Sequence, residues 1–184
     1  DRFEEEIITA LNCITTATLN LWSAVMKTLL PTPTKFHYNF SLRDISRVFQ
    51  GILRAPSESM KLSVQVVSLW RHETERVFCD KLVSGEDKTI FMKELNMVTI
   101  KIFGKASLDQ LKSKRLLWVD FMRDDIVDED GIVTEEAPKK YENVETMKEL
   151  AQVAYKRLAQ YNLSYPSKSM DLILFSDALA HLAR

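Results

Sequence analysis

The feature that most constrains the fold is a series of four amphipathic helical patterns in the first 104 residues of this 184-residue chain. Apolar residues recur every three or four positions, which predicts helices over 3–30, 42–53 and 59–83 and a fourth that Asp87 caps and Gly104 ends. The chain has only 4 glycines and 5 prolines, and short connections favour antiparallel packing of such helices. The sequence therefore predicts a mainly α fold built on a helical bundle.

The composition changes after Gly104, which predicts a domain boundary between a bundle at 1–104 and a second region at 105–184. The second region is predicted to begin with a short helix at 108–114, a strand at 115–122 and a mobile polar loop at 123–140. An amphipathic helix at 141–161, a linker at 162–169 and a last helix or strand-to-helix element from Met170 are predicted to follow. The chain opens on Asp1 and closes on Arg184, each within a helical pattern. We therefore expect it to be a segment of a longer protein.

The second predicted helix carries an arginine, Arg43, in its first turn. Ser41 is a suitable N-cap, and Asp44 three residues later forms a capping-box pair with it. Backbone N–H groups and the helix dipole favour an anion at this end of a helix, so a guanidinium there makes a candidate phosphate sensor. The alternative is a solvated arginine on an ordinary helix, which spacing alone favours.

A run of polar residues in the third predicted helix is a second candidate site. Glu73 and Arg76 are three positions apart and lie on one helical face, and His72 is four positions before Arg76. The run is either a contact surface for a neighbouring module or a local ion pair. Spacing alone favours the ion pair.

Several function classes find no support in the sequence. The four glycines do not cluster into a phosphate-binding loop, the three histidines are far apart, and neither cysteine has a partner at metal-ligand spacing, so no catalytic or metal site is predicted. A net charge of −1 argues against binding to nucleic acid or to an anionic membrane, although Arg43, Arg47 and Arg54 share the second helix. Cys13 and Cys79 are expected as reduced thiols, with one disulfide left open.

Several strings together resemble the dynein heavy chain, in the part of the motor ring that closes the third AAA+ module. The most specific are Leu29-Leu-Pro-Thr-Pro-Thr-Lys-Phe-His-Tyr-Asn-Phe-Ser-Leu-Arg-Asp-Ile-Ser-Arg-Val-Phe-Gln-Gly51 and Leu69-Trp-Arg-His-Glu-Thr-Glu-Arg-Val-Phe-Cys-Asp-Lys-Leu82. Val119-Asp-Phe-Met122, Tyr141-Glu142, Tyr161-Asn162 and Met170-Asp-Leu-Ile-Leu-Phe-Ser-Asp-Ala178 resemble the lead-in to the fourth module. Phe49-Gln50-Gly51 is more similar to axonemal than to cytoplasmic members.

The resemblance implies that residues 1–104 are the helical small domain, or lid, of the third module and that 105–184 link to and begin the fourth. Arg43 matches the sensor-2 arginine, through which a lid reaches the nucleotide held by the preceding large domain. Arg47, Glu73 and Arg76 would support the lid or its junction with the next module. The lid would relay nucleotide state to that module, and the segment itself would have no active site.

The resemblance also implies the surroundings of the parent protein. The segment would need no cofactor of its own, whereas the parent would use ATP or ADP with magnesium. Its partners would be neighbouring AAA+ modules of the same chain and, through the parent, microtubules and dynein intermediate and light chains, with neither nucleic acid nor membrane. The location would be the cytoplasm and cytoskeleton, in the axoneme of a cilium or flagellum. The alternative is a free-standing helical module that binds another protein.

Overall fold

The computed structural model describes residues 5–112, 117–127, 133–135, 137–144 and 146–184. The chain forms two compact units, unit 1 at Asp1–Lys114 and unit 2 at Arg115–Arg184. Helices dominate the described residues, so the predicted mainly α fold is confirmed. None of the helices in the described part of the chain is both long and apolar enough to cross a membrane.

Unit 1 is a bundle of helices. Its helices are α1 (Glu5–Thr28), α2 (Leu42–Leu53), α3 (Ser63–Thr74), α4 (Gly85–Phe103) and α5 (Lys105–Lys112), with a short 3-10 helix at Ser57–Ser59 before α3. α3 continues directly into a π-helical turn at Glu75–Cys79, which we call the π-segment. α1 packs on α3 and α4, and α2 packs on α3 and the π-segment.

The core of unit 1 is built around aromatic side chains. Trp70, Phe78 and Phe91 are completely buried together with leucines of α1, α3 and α4. The Trp70 indole N–H donates to Thr18 Oγ1 at 2.9 Å, so the buried polar atom is satisfied across α1 and α3. The apolar stripes predicted from sequence therefore meet in one core.

The bounds of the helices correct several local predictions. The α4 helix is capped by Ser84, whose Oγ accepts from the Asp87 backbone N–H at 3.1 Å, so the prediction of Asp87 as the cap is wrong. α3 begins at Ser63 instead of residue 59, and its pattern ends in the π-segment. The helix after Gly104 packs on α3 and α4, and unit 1 accordingly extends beyond the boundary that we predicted at Gly104.

Unit 2 combines two short antiparallel pairs with two helices. β1 (Leu117–Val119) pairs with β4 (Glu142–Val144), and β2 (Ile126–Val127) pairs with β3 (Val133–Glu135). α6 (Met147–Ser164) follows, then a 3-10 helix at Pro166–Lys168 and α7 (Ser176–Leu182). The core gathers apolar residues from the first strand pair and both helices: Leu117, Val119, Val144, Leu150, Ala154, Leu179 and Ala183.

Unit 2 is more structured than its sequence pattern indicates. The strand predicted at 115–122 is present over Leu117–Val119, but the predicted polar loop contains the β2–β3 pair, and the helix predicted from residue 141 begins at Met147 after a strand. Residues 128–132 and 136 of that loop lie outside the described residues. Strands this short leave little periodicity for a sequence pattern to show.

Candidate functional site

The first turn of α2 is held by the residues that were predicted to cap it. Ser41 has an extended backbone, with φ −97° and ψ 168°. Its backbone N–H donates to Asp44 Oδ2 at 2.8 Å, and its hydroxyl donates to the same oxygen at 3.2 Å. This is the reciprocal contact of a capping box, and it fixes where the helix begins.

Asp44 is buried, which the sequence pattern did not predict. Its Oδ1 lies 3.2 Å from the Lys81 ammonium and 3.8 Å from the Arg47 guanidinium, and Asp44 itself is 5% exposed. Burial acts to raise the pKa of Asp44, but hydrogen bonds from the Ser41 backbone and from Lys81 outweigh it and lower the pKa. The first turn of α2 therefore contains a fixed buried carboxylate.

Arg43 lies on the exposed face of α2, away from the buried face that carries Asp44. Its side chain is exposed, and no residue in the described part of the chain accepts a hydrogen bond or forms an ion pair with it. At 3.6 residues a turn, Arg43 lies about 140° around the helix from Val48, the centre of the buried face. The guanidinium is therefore available to a group outside unit 1.

The same geometry corrects the predicted apolar stripe of α2. In the sequence, Leu42, Ile45 and Val48 repeat at helical spacing, which predicts that all three face the core, but Leu42 is 70% exposed. It lies about 120° around the helix from Val48, and the inward position near it is taken by Asp44. The exposed face of α2 therefore carries Leu42 beside Arg43.

Arg47 is the second exposed arginine of α2. Its side chain is 58% exposed, and among the described residues its only ion pair is the 3.8 Å contact to Asp44. A contact of this length at the surface contributes little to stability. Arg47 therefore adds positive charge next to Arg43 with little structural constraint.

Glu73, in α3, and Arg76, in the π-segment, lie within unit 1. Glu73 is 1% exposed, and its Oε2 accepts from Arg76 Nε at 2.9 Å and lies 2.7 Å from Nη2, so the local ion pair expected from spacing is present. The Glu73 carboxylate also sits directly against Gly51 of α2, where the Cβ of any other residue would overlap it. Glu73 therefore needs a glycine at this helix crossing.

Arg71 is a buried polar residue of α3 that bonds to another helix of unit 1. It is 6% exposed and donates to Thr99 Oγ1 at 2.8 Å and to Asn96 Oδ1 at 2.9 Å on α4. Burial lowers its pKa, which the charge of Glu75 partly offsets. Arg71 therefore joins α3 to α4.

The chain is similar to known proteins over nearly its whole length. The family model described as the AAA+ lid domain matches residues 14–114, which include the first turn of α2 and nearly all of unit 1. The chain belongs to the AAA+ lid domain family.

Relatives with known names extend this assignment. This AAA+ lid protein is 37% identical to human dynein axonemal heavy chain 2 over 99% of its own length, 35% identical to mouse dynein axonemal heavy chain 5 and 34% identical to human dynein axonemal heavy chain 10, each again over 99% of its length. The chain spans 4% of the length of each of these proteins. The predicted resemblance to axonemal dynein heavy chains is confirmed.

The lid has no group of metal ligands among its described residues, where no three His, Cys, Asp or Glu side chains come together. Cys13 is half-buried and Cys79 is buried, and neither takes part in a disulfide. The candidate site is thus a pair of exposed arginines on a helix whose first turn is fixed from the inside, and it can bind an anion through charge-assisted hydrogen bonds.

Three polar contacts within the lid were missed by sequence reasoning, and the first of them lies at the site. They are Lys81 against Asp44, Arg71 against α4, and a cluster in which Lys35 Nζ and the Tyr38 hydroxyl lie 2.6 and 2.7 Å from Asp87 Oδ2. Each joins residues distant in the chain, so no local spacing could reveal it. The only signal in the sequence was that some charged residues fall within otherwise apolar helical stripes.

Proposed function

We propose that unit 1 is the lid of the third AAA+ module of an axonemal dynein heavy chain and that Arg43 senses the nucleotide held by the preceding large domain. The single observation that carries the proposal is that Arg43 is exposed, without a partner among the described residues, on a helix whose first turn is otherwise fixed. A guanidinium in this position can bind a phosphate, whereas it bonds to none of the described residues of the lid.

The energetic effect expected of such a contact is large enough to move a domain. A charge-assisted hydrogen bond to a γ-phosphate contributes roughly 1.5–3 kcal/mol. Since it forms only when the γ-phosphate is present, it raises the population of the closed lid roughly ten- to a hundredfold. Arg47 adds charge at the same face, while Glu73 and Arg76 hold α2 against α3.

We further propose that the lid passes this state to its neighbour. In this account unit 1 is the lid, and unit 2 links it to the fourth module and begins that module, so lid rotation is carried along the chain. Phe36, Leu53 and Ile173 are each at least 80% exposed and would be available for contact with neighbouring modules. The segment itself would hydrolyse nothing, while the parent would bind ATP or ADP with magnesium.

The parent protein would then be a microtubule motor of the ciliary or flagellar axoneme, within the cytoskeleton of the cell. Its partners would be its own AAA+ modules, microtubules, and the intermediate and light chains of dynein. The axonemal names of the relatives support this location. The segment would contact neighbouring modules through the exposed face of α2.

The test is nucleotide affinity in the heavy chain that carries this lid. We expect Arg43→Ala to weaken ATP binding at the third module about 10- to 100-fold, with a much smaller effect on ADP, and to slow microtubule gliding. Lys93→Ala is the matched control, because it removes one exposed positive charge from α4 instead. Equal ATP affinities for wild type, Arg43→Ala and Lys93→Ala would refute the proposal.

A further inference from the structure

We infer that Lys81 is a positioning residue for Arg43, acting through Asp44. This inference rests on the proposed function and deepens it, since it states what holds the sensing arginine in place. Lys81 follows the π-segment and is remote in sequence from α2, yet its ammonium group reaches the first turn of that helix. The geometry points to a clamp that sets the direction of α2, and with it the direction of Arg43.

The contacts of Lys81 converge on the start of α2. Its Nζ lies 3.2 Å from Asp44 Oδ1 and 5.0 Å from the centroid of the Phe40 ring. Its backbone oxygen lies 3.1 Å from His37 Nε2. Lys81 therefore binds both the segment that leads into α2 and the residue next to Arg43.

The other end of α2 is held from the same side. Gly51 lies against the Glu73 carboxylate, which pairs with Arg76 in the π-segment. Together with Lys81, these contacts place both ends of α2 directly against the segment that begins at Glu73. A helix that is held at both ends has a fixed axis. That axis determines where its exposed residues point.

The π-segment explains why Lys81 points at α2. A π-turn takes up one more residue than an α-turn, so the residues after it are rotated by about 100° relative to a continuous α-helix. The backbone N–H of Asp80 bonds the Glu75 oxygen across five residues at 3.1 Å, which marks this extra residue. Any change in the register of this turn would displace Lys81 and release Asp44.

Lys81 is expected to affect both stability and the position of Arg43. Its side chain is 23% exposed, but its partner Asp44 is buried, so removing Lys81 leaves a buried carboxylate with one fewer partner. Asp44 keeps its hydrogen bonds from Ser41 when Lys81 is absent, so the helix still begins in the same place. What is lost is the restraint on the direction of α2, and a contact to phosphate requires a side chain placed within about 0.5 Å.

The experiment is a double-mutant cycle in the full heavy chain, with ATP and ADP affinities at the third module as the readout. We expect Lys81→Met to weaken ATP binding about three- to tenfold and to leave ADP binding unchanged, while the urea midpoint falls because Asp44 stays buried without its Lys81 partner. Lys81→Arg keeps the charge and should restore ATP affinity. In an Arg43→Ala background, Lys81→Met should have no further effect, because Lys81 acts only through Arg43.

The outcomes separate this inference from the proposed function. If Arg43→Ala weakens ATP binding while Lys81→Met does not, the clamp is refuted and the sensing role survives. If Lys81→Met weakens binding equally with and without Arg43, Lys81 acts elsewhere and the inference is wrong. If Arg43→Ala has no effect, the sensing role fails and the inference falls with it. Lys93→Ala again controls for the loss of one positive charge.

Discussion

The polar residues of α3 and the arginines of α2 look alike in sequence but differ completely in what the fold does with them. Arg71 and Glu73 are almost fully buried: Arg71 donates to α4, and Glu73 pairs with Arg76 of the π-segment. Arg43 and Arg47 are exposed, and of the two only Arg47 has an ion pair in the described residues. The comparison teaches that a charged residue becomes a candidate for function when the rest of its own domain leaves it unused.

The largest expected effect concerns the buried side of this comparison. Arg71→Ala removes two hydrogen bonds between α3 and α4 and leaves Thr99 and Asn96 without these donors, so we expect a loss of about 2–4 kcal/mol in the free energy of unfolding. Urea unfolding of the 184-residue chain, followed by tryptophan fluorescence, measures it. A loss no greater than that of an exposed arginine would show that Arg71 is not structural.

The second prediction tests the helix crossing at Gly51. Alanine normally stabilises a helix relative to glycine, but here the methyl group would overlap the Glu73 carboxylate. We therefore expect Gly51→Ala to destabilise unit 1 by about 1–3 kcal/mol, measured by the same urea unfolding. The double variant Gly51→Ala/Glu73→Ala should lose less free energy of unfolding than the two single variants lose together. A Gly51→Ala variant more stable than wild type would contradict the packing described.

The third prediction is a pH dependence at the N-terminus of α4. Hydrogen bonds from Lys35, Tyr38 and Ser84 lower the pKa of Asp87 from 3.8 to about 2. A carboxyl group with a lowered pKa stabilises the folded state above its unfolded pKa, and this contribution is lost as the pH falls through the folded pKa. Asp87→Asn should therefore be less stable than wild type at neutral pH, and the difference should shrink between pH 3.8 and about 2.

The control for this prediction is Glu86→Gln, which removes a neighbouring, exposed negative charge from the same helix turn. Thermal unfolding of both variants across this pH range gives the comparison. If the stability gap between Asp87→Asn and wild type stays constant down to pH 2, the carboxylate does not make the contacts described.

The smallest expected effect is on the exposed side of the comparison. Arg43→Ala should change the free energy of unfolding of the 184-residue chain by no more than about 0.5 kcal/mol, because no described residue bonds to the side chain. The urea series used for Arg71→Ala measures it under identical conditions. A large loss would mean that Arg43 serves the fold, and the contrast between α2 and α3 would disappear.

Sequence reasoning predicted the parts of this protein that depend on local patterns. The bounds of α2 and the contact between Ser41 and Asp44 follow from apolar spacing and from capping chemistry, both confined to a few consecutive residues. The resemblance to axonemal dynein heavy chains was carried by two specific strings and is confirmed. Arg43 was singled out for its place in a first helical turn, and its role stays a prediction.

The rest could not be predicted because it depends on contacts between distant residues. Lys81 meets Asp44, and Glu73 meets Gly51, only once α2 is packed on α3. The π-segment continues the apolar pattern of α3 without a break, so its extra residue leaves no trace in the spacing. The strands of unit 2 are two or three residues long, which is too short for alternation to be recognised.

The most direct test of the central claim is a structure of the complete heavy chain with an ATP analogue bound to its third AAA+ module. Our account predicts that an Arg43 guanidinium nitrogen lies about 2.7–3.2 Å from a phosphate oxygen of that nucleotide, and that it withdraws when ADP replaces the analogue. An Arg43 that points into solvent, or that pairs with a carboxylate of its own lid in both states, would contradict the account.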